Sequence, residues 1–170
     1  MNSQAVLWVY RVSGRLAAVF GRPVAVAWRK VTGSDPRILA VLLLLFGAAV
    51  AMRFNVMART PVGAAVGVGG QLGWLALVSR WVQAHDRDNA SGGQTVSSGA
   101  VALRVITLLF IPFAVRDVVG VAAGGWSAWI VGAYDGSTLL GLLIILAGDP
   151  GGRSVWQDLA ERRVRRLVAA

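Results

Sequence analysis

The chain has 170 residues, 56% of them hydrophobic, a mean hydropathy of +0.63 and a net charge of +9. So apolar a composition excludes an ordinary soluble domain, and without cysteine there are no disulfides, thiolate metal sites or cysteine nucleophiles. One histidine, His85, cannot build an imidazole metal site, and the positive charge points to anionic lipid headgroups rather than to nucleic acid.

Residues 1–35 form a basic N-terminal segment. At 100° per residue, Arg11, Arg15, Arg22 and Arg29 fall in a stripe about 40° wide, with Val9, Val12, Leu16, Phe20, Val24 and Trp28 mostly on other faces. This predicts an amphipathic helix in the cytoplasmic interface, arginines toward lipid headgroups; docking on a partner is the alternative. Pro23 disturbs a continuous helix, so two shorter segments meeting around residues 21–23 are equally expected. The start of the chain lacks the pattern of a cleaved signal peptide, so Met1 is expected to be retained.

Residues 36–148 hold four predicted transmembrane helices, at roughly 38–57, 60–80, 98–116 and 126–147. A run of twenty uncharged residues, 60–79, is enough helix to cross about 30 Å of hydrocarbon. The second span carries Gly63, Gly67, Gly69, Gly70 and Gly73, and the fourth repeats the four-residue spacing at Gly132 and Gly136. Glycines four apart share a helix face and let another backbone approach, within the chain or from another subunit. Trp74, Trp81, Trp126 and Trp129 lie near span ends, where indoles favour the interface. The sequence His85-Asp86-Arg87-Asp88 reads as a solvated loop; its two aspartates alone are a weak cation signal.

Two charges fall inside spans. Asp135 lies near the middle of the fourth, and intramembrane carboxylates are functional candidates by default. Its surroundings, Gly132-Ala-Tyr-Asp-Gly-Ser-Thr138, could split the helix around a substrate site, or Tyr134, Ser137, Thr138 or a neighbouring arginine could satisfy the carboxylate. Arg104 sits roughly 10 Å away in depth, which predicts snorkelling to the interface rather than pairing. Arg116 and Asp117, adjacent at the other end of the third span, are expected at the interface, beyond a kink at Pro112.

Residues 149–170 form a basic C-terminal helix. Ser154 and Gln157 have capping-box spacing, Trp156, Ala160, Val164 and Leu167 make an apolar face, and Arg162, Arg163, Arg165 and Arg166 form a headgroup-facing anchor. Thirteen arginine and lysine residues before the first span, between spans two and three, and in this tail stand against Arg53, Arg59 and Arg116 on the opposite side. That asymmetry predicts both termini in the cytoplasm, in the inner (plasma) membrane of a bacterium. All but one of the seventeen basic residues are arginine, a bias resembling that of high-GC bacteria such as actinobacteria.

The second half resembles the RDD family of small bacterial membrane proteins, named for an arginine and two aspartates. The similarity lies in Arg59-Thr-Pro61, in Gly92-Gly-Gln-Thr-Val-Ser-Ser-Gly-Ala-Val-Ala-Leu-Arg104, and in Gly152-Arg-Ser-Val-Trp-Gln-Asp-Leu-Ala160, where Asp158 would be the second aspartate. In the first half, Arg15-Leu-Ala-Ala18 is similar to the family's opening arginine, while Arg22 occupies its aspartate position. The resemblance implies a related fold more than an inherited activity.

The expectation is thus an all-α, polytopic membrane protein with four transmembrane helices and amphipathic cytoplasmic ends. No nucleophile, base and oxyanion set can be assembled, so an enzyme is not expected, nor is a cofactor or metal. The sequence favours a non-catalytic accessory or scaffolding subunit, held in anionic lipid beside other integral membrane subunits. Its source bias suggests a multisubunit envelope transporter, such as an Mce-type lipid importer, as host. The alternative is a small homo-oligomeric ion or solute transporter using Asp135.

Overall fold

Prolines open three of the helices, where a fixed φ suits the first turn and the missing N–H has no intrahelical partner to lose. Pro36 and Pro61 are the first residues of their helices and Pro23 is the second of its own. The computed structural model describes residues 3–58, 60–91, 96–122 and 126–148, and among these there are helices and no strands. In chain order they are α1 (Ser3–Leu16), a wide π turn (Ala17–Gly21), α2 (Arg22–Thr32), α3 (Pro36–Ala58), α4 (Pro61–Ala90), α5 (Ser98–Ala122) and α6 (Trp126–Ala147). The expected C-terminal helix, with Arg162, Arg163, Arg165 and Arg166, lies outside the described residues.

The helices α3 to α6 are each long and apolar enough to cross a membrane, matching the four expected spans of a multi-pass membrane protein. They alternate in direction, which gives the bundle a near end, holding α1 and α2, and a far end, where α3 meets α4 and α5 meets α6. The last span, α6, is the centre: it packs against α3, α5, α1, α2 and the π turn, whereas α4 touches α3 and α5.

Small residues set the closest approaches. On α3, a Cβ at Gly47 would lie 2.8 Å from Ser137 Oγ and 2.9 Å from Thr138 Oγ1 of α6; one at Gly141 would lie 3.0 Å from the Ala40 carbonyl oxygen. Gly47→Leu is therefore expected to wedge α3 from α6 at a cost of about 1–3 kcal/mol. A lowered melting temperature of the purified chain would register it.

The N-terminal segment departs from the single amphipathic helix. Pro23 lacks the N–H that would continue an α ladder, and Arg22 N–H instead reaches the Ala17 carbonyl in the π turn. The extra residue turns the faces of α2 out of register with those of α1, so the four arginines do not form one stripe, although Arg11, Arg15, Arg22 and Arg29 are all exposed. What packs inward is a line of small residues, Ser13, Ala17, Gly21 and Ala25, all buried. A Cβ at Gly21 would overlap the Leu143 carbonyl of α6. Gly33 then ends α2 in the left-handed conformation, φ 68°, its N–H on the Arg29 carbonyl, as helix C-termini favour.

The charged stretch 85–88 is not a loop. At 30 residues α4 is about 45 Å long, so its last turns continue past the hydrocarbon thickness. There Asp86 takes a bidentate contact from Arg37 at the start of α3, at 3.0 and 3.4 Å. Asp88 accepts the Ser97 N–H at 2.7 Å just before α5, and His85 is buried with Asn89 Nδ2 3.2 Å from its Nε2. The aspartates serve two different helices rather than a shared cation. Of the tryptophans, Trp74 and Trp81 pack on the core, with Trp74 edge-on to Trp81 at 6.2 Å and 5.8 Å from Phe110, whereas Trp129 is exposed.

Candidate functional site

Asp135 is buried on α6, which runs unbroken from Trp126 to Ala147; the glycine-rich surroundings do not split the helix. Its neighbours come from α5. Asp117 Oδ1 accepts from Arg116 Nε at 3.0 Å and from Nη2 at 2.9 Å, and the same Nη2 stands 3.7 Å from Asp135 Oδ2. Both carboxyls are thus gathered on one guanidinium nitrogen. Asp117 is packed inside the protein: it is 5% exposed, against 61% for the Arg116 side chain, and its Oδ2 is buried with no hydrogen-bond partner. One exposed guanidinium faces two buried carboxyls.

Why these residues meet is a matter of depth. Asp117 lies five residues before the end of α5 and Asp135 nine after the start of α6. At 1.5 Å per residue their offset is about 6 Å, which side chains can span. Gly132, one turn before Asp135, lies against the same residue: a Cβ there would sit in ordinary contact, 3.5 Å from Asp117 Cβ. The sequence signal for Asp117 was this counting across a short connection, which adjacency to Arg116 obscured.

Arg104 does not snorkel. It is 7% exposed, donating from Nη1 to Ser13 Oγ at 3.1 Å, with its guanidinium carbon 4.1 Å from the Tyr10 ring centroid. Ser13 Oγ in turn donates to the Val9 carbonyl at 2.7 Å, and burial raises the Tyr10 phenol above its ordinary value, keeping the ring neutral under the cation. Stacking of a desolvated guanidinium is worth about 2 kcal/mol. Arg104 and Asp135, both singled out by sequence, are therefore in separate clusters: one holds α1 to α5 near one end, the other joins α5 to α6 toward the other.

The glycine faces divide as well. Cβ atoms at Gly69, Gly70, Gly73 and Gly136 would meet nothing within 4 Å, and Gly63 and Gly67 are half-buried. Around the first three, Val62, Val66 and Leu72 are exposed by 74, 70 and 56%, so α4 presents an apolar, notched face that no described part of the chain covers. No family model, curated protein or solved structure matches the chain, so its own residues carry the functional evidence.

Proposed function

We propose that this protein is a non-catalytic integral membrane subunit whose α4 packs on the helices of a larger membrane assembly. The observation that carries the reading is the open face at Gly69, Gly70 and Gly73. In lipid, apolar side chains gain little by leaving hydrocarbon, so helices associate where small residues allow backbone contact. The bundle's own close approaches use Gly47, Gly141, Gly21 and Gly99 instead, which leaves Gly69, Gly70 and Gly73 for another helix. The arginine distribution supports a bacterial inner membrane with both termini cytoplasmic, and a multisubunit envelope lipid transporter is the host proposed. Ion or solute transport through Asp135 is the second reading, favoured by the second carboxyl that α5 sets beside it.

Gly70→Leu tests the subunit reading. Purified from native membranes in mild detergent, the unaltered chain should carry larger partners at fixed stoichiometry. The variant should retain at least tenfold less of them, corresponding to about 1.4 kcal/mol, with the melting temperature of the isolated chain unchanged because a Cβ at Gly70 meets no described residue within 4 Å. A native chain that purifies alone as a defined oligomer would overturn the proposal, as would a variant that keeps its partners.

A further inference from the structure

The carboxyls of Asp117 and Asp135 carry two negative charges when ionised, and Arg116 supplies one positive charge against them. Burial makes the imbalance costly: α5 and α6 are both long and apolar enough to cross hydrocarbon, and both carboxyls are buried. Among the described residues no other charged group is paired with these carboxyls. Facing this region, α3 contributes Gly47, α4 the neutral Gln71 near Tyr134, and α6 itself the Tyr134 phenol and the Ser137 and Thr138 hydroxyls. The arginine is already committed to Oδ1 of Asp117 by two bonds, leaving Oδ2 buried and without a donor. Two buried carboxyls gathered on one guanidinium nitrogen, one with an orphaned oxygen, need a further donor.

We propose that Asp117 and Asp135 hold one exchangeable proton between them inside the membrane, with Arg116 as the fixed counter-charge. Bound, the proton makes the site neutral and supplies the O–H that the orphaned oxygen lacks. Released, it leaves one net negative charge between α5 and α6. Arg116, whose side chain is exposed, borders the pair, so the site exchanges protons past it, from the far end of the bundle. Proton occupancy would thereby be coupled to the packing of α5 on α6. This goes beyond the subunit reading and does not depend on it.

Infrared spectroscopy of the full chain in lipid nanodiscs tests the proposal directly. At neutral pH the native protein should show the carbonyl stretch of one protonated carboxylic acid per chain, shifted by deuterium oxide and lost reversibly as pH rises. Asp117→Asn and Asp135→Asn should each abolish the whole band, because either remaining carboxylate can pair with Arg116 alone. Absence of the band in the native chain overturns the proposal without any variant. So does a band that survives one substitution, which would place the proton on a single residue, or a band displaced by added sodium, which would make the ligand a metal cation.

Discussion

Gly21→Val is expected to lift α1 and α2 off the bundle while leaving the four spans in place. The new side chain would be driven into the Leu143 carbonyl, a backbone atom of the central span that cannot rotate aside. Overpacking against yielding side chains costs about 1–3 kcal/mol, and a main-chain clash lies at or above the top of that range. The segment can escape by undocking, which exposes Ser13, Ala17 and Ala25 and removes the Ser13 oxygen from Arg104. Because the chain has no cysteine, Ala25→Cys provides a clean reporter. Its thiol should resist a water-soluble maleimide in the native background and react at least tenfold faster with Gly21→Val. Equal rates would mean that the segment is not held at this contact.

Arg116→Met should destabilise the bundle through what it leaves behind. Both carboxyls lose their cation, and Asp117 Oδ1 joins Oδ2 as a buried oxygen without a donor. Removing one member of a fully buried ion pair costs about 3–5 kcal/mol; with Arg116 61% exposed, about 1–3 kcal/mol is expected. The diagnostic is the double variant: adding Asp117→Asn removes one carboxylate and should recover most of the loss in melting temperature. A single variant as stable as the native chain would show that the guanidinium is a bystander.

Span number and placement were legible because hydrocarbon thickness fixes the length of an apolar helix, as the uncharged stretch 60–79 illustrates. Spatial order was not: nothing in the sequence says that α6 lies at the centre, because lipid-facing and helix-facing residues are equally apolar. The same degeneracy left open which glycines pack within the chain. Spacing marks Gly69, Gly70 and Gly73, whereas the close approaches within the chain run through Gly21, Gly47, Gly99 and Gly141. The line Ser13, Ala17, Gly21, Ala25 has the same four-residue period and was visible, but the arginines beside it suggested a helix facing headgroups. Asp135 was found by its cost in hydrocarbon; Asp117 was hidden by an adjacent arginine that seemed sufficient company. Arg104 was misjudged for want of knowing that α1 would cover it.

The central place of α6 also has a consequence for biogenesis. Of the four spans, ribosomes deliver α3 first, yet it packs most extensively on α6, the fourth. At about 5–20 residues per second, several seconds separate the two. During that interval α1 and α2 have no Leu143 carbonyl to rest on, and Asp117 has no second carboxyl beside it. The first three spans are therefore expected to form a loose intermediate, with arrival of α6 seating the N-terminal segment and completing the acidic pair in one step. The order of synthesis makes α6 the clasp of the described bundle.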